Sequence, residues 1–146
     1  MMVATARADD EEMALRIEEH RLRRPEAWTV VEEPIDLHGA IRSGSDQDTI
    51  VVDCVTLWVS NLMVERSDAE ILSMIDTVVD SIANRSGETI IVSNEVGDGV
   101  VPMHPVGRRF RDLQGRANQR FASAAEKAYL VVAGRALRLQ DANDVV

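Results

Sequence analysis

Apolar residues fall along this chain in two patterns: short unbroken runs, and positions three or four apart. Unbroken runs occupy "TIVVDCVT" (49–56), "TIIVSNEVGDG" (89–99) and "YLVVAG" (129–134), the mark of strands buried on both faces. "MVAT" (2–5) and "TVVEE" (29–33) predict shorter strands, and "RALRL" (135–139) a last edge strand. The helical period appears between them. "ADDEEMALRIEEHRLRR" (8–24) predicts a helix capped by Asp9, with Glu12 completing a capping box, acids first, arginines last and Pro25 ending it. Met13 and Ile17 share one face of it, and His20 follows one turn later, near the protein body. "IDLHGAIRS" (35–43) predicts a short helix. Residues 69–86 predict a longer one, with Ile71, Leu72, Ile75, Val78, Val79 and Ile82 on the 3.6 period. A third spans 106–128 and turns Val106, Phe110, Leu113, Ala117, Phe121 and Ala124 inward. Residues 140–146 are expected to fray.

Strands alternating with amphipathic helices predict an α/β fold, a single domain over 1–146 with a mostly parallel sheet flanked by helices. Ligands of such sheets bind at the carboxyl ends of the strands, which nominates Thr5, Asp53 to Thr56 and Ser93 to Gly97.

Composition narrows the function. A net charge of −9 argues against nucleic-acid binding by bulk electrostatics. The single cysteine, Cys54, rules out an intrachain disulfide and a CxxC metal site, and fits a reducing, cytoplasmic setting. No apolar run approaches the ~20 residues of a membrane span. The opening "MMVATARADD" lacks the layout of a secretion signal.

Four features carry candidate chemistry. "IVVDC" ends a strand in a carboxylate, the layout that orients Mg²⁺ in phosphoryl-transfer enzymes, or else a turn cap. "SNEVGDGVVP" (93–102) can present carbonyls, amides and a carboxylate to a ligand, or serve only as a well-made turn. Arg108, Arg109, Arg111, Arg116 and Arg120 crowd one helix as an anion site, an intersubunit surface or a solvated face. His20 stands among Arg16, Arg21, Arg23 and Arg24. Imidazole is a nucleophile suited to neutral pH, and surrounding cations would hold a triphosphate and offset its repulsion of the attacking atom. The alternative is an ordinary surface histidine.

These features agree in order and spacing with one family. Through "ATARADDEEMALRIEEHRLRRP", "WTVVEEP", "VVDCVTLWVSNLM", "IVSNEVGDGVVP", "GRRFRDLQGRANQRFA" and "LVVAG", the chain resembles the bifunctional adenosylcobinamide kinase / adenosylcobinamide-phosphate guanylyltransferases of cobalamin synthesis. The resemblance implies a P-loop, RecA-like sheet. It implies that His20 takes GMP from GTP, releases pyrophosphate and passes GMP to cobinamide phosphate. It implies nucleotide contacts at Ala4, Thr5, Ala6, Arg21, Leu22, Arg23, Arg24, Glu32 and Asp53, with Asp53 one methylene shorter than the glutamate the family often carries. GTP or ATP is the implied nucleotide, with Mg²⁺, and a corrinoid the implied small-molecule partner. A homo-oligomer, trimeric by resemblance, is expected. The family opens with a strand, a GGxRSGKS loop and a helix. No G-x-x-x-x-G-K-[ST] occurs in these residues, so the expected fold lacks that N-terminal strand–P-loop–helix. Kinase activity is expected only with that loop. The alternative is a non-catalytic fragment that binds nucleotide weakly or assembles with an intact subunit.

Overall fold

In the computed structural model, which describes residues 1–25 and 27–141, β1 (Met2–Ala4), β2 (Val30–Glu32), β3 (Ile50–Asp53) and β4 (Thr89–Val92) pair in parallel in the order β2-β1-β3-β4. Four helices connect them, α1 (Glu11–Arg23), α2 (Leu37–Arg42), α3 (Val55–Leu62) and α4 (Asp68–Ala83), and α5 (Pro105–Ala124) follows β4. The α/β class and the parallel sheet expected from the alternating pattern are both present.

Strand residues in register share a face of a sheet, and successive residues alternate faces. Val3, Val31, Val52 and Ile91 therefore form one row. Against that face α2 to α5 deliver Leu37, Ile41, Trp58, Val59, Leu62, Ile71, Ile75, Val78, Leu113, Ala117 and Phe121, which together make the core. The opposite face carries Met2, Val30, Val51 and Ile90 in one row and Ala4, Glu32, Asp53 and Val92 in the next. It is half open, with Ile90 and Val92 exposed.

Several boundaries differ from the sequence pattern. α1 is capped by Asp10, which accepts from the Met13 N–H at 2.7 Å, while Asp9 faces Arg7. α1 buries none of its residues: Met13 and Ile17 are half-buried and His20 is exposed, not set against the protein body. The run 49–56 is a strand only to Asp53, and α3 begins at Val55. The spacing of Val55, Trp58, Val59 and Leu62, all buried, is helical; the run of β-branched and aromatic residues hides it behind the preceding strand. α4 opens with a full capping box between Ser67 and Glu70. α5 ends at Ala124, and Val106 and Ala124 are exposed although Leu113, Ala117 and Phe121 turn inward.

The largest departure is the run 129–134. It forms β5 (Ala128–Val132), which pairs antiparallel with β6 (Arg135–Leu139) in a separate hairpin. Ala133 and Gly134 both have positive φ, 51° and 72°, as a two-residue hairpin turn requires. The hairpin does not join the main sheet, so β5 is exposed, not buried, and β4 is an edge strand. β4 too is only half-buried. Its apolar residues satisfy the pattern of a covered strand without the cover. Of the expected frayed tail, residues 142–146 lie outside the described residues.

Candidate active site

Because the strands are parallel, their carboxyl ends gather at one rim. The register puts Ala4 between Glu32 and Asp53 on the half-open face. At a strand spacing of about 4.8 Å, the two acidic backbones stand roughly 10 Å apart, with only a methyl between them. Ala4, Glu32 and Asp53, each a nucleotide contact implied by the resemblance, are thus neighbours in the sheet.

Thr5 sits at this rim but is fully buried. Its hydroxyl donates to Cys54 O at 2.7 Å and accepts from Cys54 N at 3.0 Å, and its backbone N–H bonds Asp53 O at 3.0 Å. The hydroxyl is thus committed to joining the ends of β1 and β3. Ala6 is half-buried just beyond. Behind the rim, α3 ties the loops down: Asn61 Nδ2 donates to Thr5 O (2.8 Å) and Pro34 O (3.1 Å), and Trp58 Nε1 to Ile35 O (2.8 Å). Neither residue stands out in the sequence as functional; the signal is a lone Asn three residues after Trp58 in an apolar helix.

His20 occupies the last turn of α1 beside its arginines. Arg21 reaches Glu32 through Nη2–Oε1 at 2.6 Å, and Glu18 at 3.1 Å, so the end of α1 is linked to the rim at β2. The Glu32 carboxylate raises the Arg21 pKa above its ordinary value, first through the hydrogen bond and then through charge. Arg16 pairs with Glu12, and Arg23 with Glu19 at 3.9 Å. Leu22 is exposed and points to no partner surface. Arg24 differs from these arginines. Its Nε and Nη1 are shielded from solvent without a hydrogen-bond partner among the described residues.

The second arginine group behaves otherwise. Arg108 donates to Pro102 O and Met103 O, Arg111 to Gly97 O, and Arg120 to Leu72 O while pairing with Asp76. Arg109 Nε meets Asp68 at 2.6 Å, and its two terminal nitrogens meet Met63 O and Arg66 O. Arg108, Arg109 and Arg111 staple neighbouring turns to α5, Arg120 ties α5 to α4, and the four are not gathered into an anion pocket. Above β4, Gln114 and Asn118 continue the same stripe. Gln114 Nε2 donates to Ser93 Oγ and Asn118 Oδ1, Asn118 Nδ2 to Asn94 O, and Asn94 N to Thr56 Oγ1. The "SNEVG" turn is therefore fixed at the rim next to Asp53.

Among the described residues, no group of three His, Cys, Asp or Glu side chains is placed to hold a metal ion. No helix there is long and apolar enough to cross a membrane.

The family model described as "Cobinamide kinase / cobinamide phosphate guanyltransferase" matches residues 1–139. "Bifunctional adenosylcobalamin biosynthesis protein CobP" of Pseudomonas aeruginosa is 37% identical over 139 residues, covering 94% of this chain and 80% of that protein. "Bifunctional adenosylcobalamin biosynthesis protein CobU" of Escherichia coli is 32% identical over 154 residues, covering 96% of this chain and 85% of that protein.

Proposed function

The chain belongs to the cobinamide kinase / cobinamide phosphate guanyltransferase family, and we propose that it moves GMP from GTP to adenosylcobinamide phosphate in cobalamin biosynthesis, through a histidine–GMP intermediate on His20. In the first step the lone pair of the unprotonated ring nitrogen forms an N–P bond to the α-phosphorus. The bridging P–O bond breaks, and pyrophosphate leaves with its electron pair. In the second, a phosphate oxygen of the acceptor forms the new P–O–P bond as the N–P bond breaks and returns its pair to the ring. Arg21, Arg23 and Arg24 stand in the same turn as His20 and supply the positive charge that draws the triphosphate. Glu32 and Asp53, at the strand ends on either side of Ala4, contact the nucleoside.

The observation that carries this reading is the Arg21–Glu32 pair, which holds the turn bearing His20 at the strand-end rim. Magnesium fits as a companion of the nucleotide's phosphates, with Asp53 as its nearest carboxylate candidate, since such ions need only one or two protein ligands. Phosphorylation of adenosylcobinamide, tied by resemblance to a glycine-rich loop absent from these 146 residues, is assigned to none of the groups described. The same reading makes the protein a cytoplasmic homo-oligomer, trimeric by resemblance.

A second reading has one observation in its favour. The open edge of β4 and the exposed hairpin suit a non-catalytic chain that binds nucleotide weakly or assembles with an intact subunit.

The deciding experiment is incubation with GTP labelled at the α-phosphate. Acid-labile, alkali-stable label on the protein, with pyrophosphate release, is expected, and His20→Ala abolishes both. Label that persists in His20→Ala removes His20 as the nucleophile. GTP binding by calorimetry with no pyrophosphate release selects the second reading.

A further inference from the structure

Asn94, just beyond the end of β4, is exposed and yet fastened from both sides. Its backbone N–H donates to Thr56 Oγ1 at 2.8 Å, and its backbone carbonyl accepts from Asn118 Nδ2 at 3.1 Å. Thr56 lies in the first turn of α3 and Asn118 on α5, so two helices grip one residue. Asn118 is itself set in place: its Oδ1 accepts from Ser93 Oγ at 2.6 Å and from the fully buried Gln114 at 2.8 Å. A solvated turn needs none of this, and a turn asparagine ordinarily spends its side chain on its own backbone. Here Glu95 takes that role, accepting the Gly97 N–H at 2.6 Å. The Asn94 side-chain amide makes no hydrogen bond among the described residues. A fixed backbone that carries a free donor and a free acceptor has the form of a ligand contact.

We infer that Asn94 is a further binding residue of the rim, and that its amide takes the vicinal hydroxyls of a ribose, the nitrogen donating to one oxygen and the carbonyl accepting from the other. The inference rests on the proposed function for the ligand's being a nucleotide. Position supports it. Val92 is level with Asp53 in the register, and Asn94 bonds Thr56 in the helix that follows Asp53, so Asn94 and Asp53 share one stretch of the rim. Chemistry separates the sugar from the phosphates. An ionised triphosphate offers acceptors alone, and the carboxylates of Asp53 and Glu95 also accept alone. Arg111 reaches this turn only further on, at Gly97 O. This stretch therefore calls for a part of the ligand that donates, as sugar hydroxyls do, while the arginines beside His20 suit the phosphates. A hydroxyl oxygen also accepts, and neither carboxylate can donate to it; the Asn94 amide supplies that donor.

The test is calorimetric titration of the protein with GTP and with dGTP, which lacks one hydroxyl of the pair; neither measurement needs turnover. The parent is expected to bind GTP about three- to tenfold more tightly than dGTP. Asn94→Ala is expected to bind the two equally. Thr56→Val, which releases the Asn94 N–H, should lose most of the preference, and Thr56→Ser should restore it. A merely structural change would lower both affinities together and leave their ratio intact. Asn94→Ala alters only an exposed side chain, and melting temperatures serve as the folding control for all three variants. A preference that survives Asn94→Ala overturns the assignment, as does a parent that binds both nucleotides equally or neither. Labelling of His20 by GTP is scored separately. Label without the ribose preference upholds the proposed function and removes Asn94 from the site; preference without label does the reverse.

Discussion

Substituting Thr5 by valine separates a scaffold role from a ligand role at the rim. The resemblance implies that Thr5 touches nucleotide, yet its hydroxyl is buried and bonded on both sides to Cys54. Valine keeps the shape and removes both hydrogen bonds. Cys54 O retains the Trp58 N–H at 3.2 Å, so its loss is the smaller one, about 0.5–1 kcal/mol. Cys54 N has no other partner among the described residues, and an unsatisfied buried donor costs about 1–3 kcal/mol. The sum is about 2–4 kcal/mol, equivalent to a fall of roughly 5–15 °C in Tm for a chain of this size. Thr5→Ser keeps the hydroxyl and loses one methyl, so about 1 kcal/mol is expected. The assay is thermal unfolding followed by circular dichroism, with GTP affinity of the folded fraction measured below the transition. A Thr5→Val variant that melts within 2 °C of the parent but loses GTP affinity would refute the scaffold argument and make the hydroxyl a direct ligand contact.

Arg109 offers a second test of the loop staples. Arg109→Ala is expected to cost about 1–2 kcal/mol in urea unfolding, and Arg109→Lys to recover less than half, because a point charge cannot serve Asp68, Met63 O and Arg66 O together; a lysine variant equal to the parent would contradict this. The Glu70 carboxyl is held below its ordinary value of 4.5 by the Ser67 hydroxyl and then by the Ser67 N–H. A depressed carboxyl stabilises the fold above its unfolded pKa, and that contribution is lost as pH falls from about 4.5 through the lower folded value. Melting curves between pH 6 and pH 3 should therefore show a shallower acid loss in Glu70→Gln, from a lower starting Tm; parallel curves would exclude the linkage.

The sequence pattern located the elements where local and tertiary forces agree. The 3.6 period of α4 is written in Ile71, Ile75 and Val78, and all three are buried. Topology nominated Asp53 and Thr5 at the strand ends, because strand ends of a parallel sheet share a rim, whereas Ala4 and Glu32 were named only through the family resemblance; the register sets Ala4 between Glu32 and Asp53. The misses arise where a short-range signal has two solutions. Val55 to Leu62 is apolar enough for a strand and correctly spaced for a helix, and the Thr5–Cys54 bonds that end β3 involve partners 49 residues apart. β5 carries the apolar run of an interior strand, but a run records what a strand can bury, not whether a neighbour is present to bury it. The arginines of α5 misled for the opposite reason. Charge on a helix face advertises anions, whereas these guanidinium groups satisfy backbone carbonyls of neighbouring turns and of α4 that meet only after folding.

The two faces of the sheet divide the labour of the molecule. Helices α2 to α5 seal the face of Val3 and Val52, so stability resides there. The row of Ala4, Glu32 and Asp53 lies on the other face, where Ala4 is buried, Asp53 half-buried and Glu32 exposed. α1, which carries His20, buries no residue and joins the rim through one half-exposed ion pair, Arg21–Glu32. Exposed pairs contribute only about 0.2–1 kcal/mol. Compared with the packed helices, His20 is thus weakly tethered, and its placement against an α-phosphorus depends on what the nucleotide itself adds. Under the proposed function, a triphosphate engaging the arginines around His20 would supply that missing attachment.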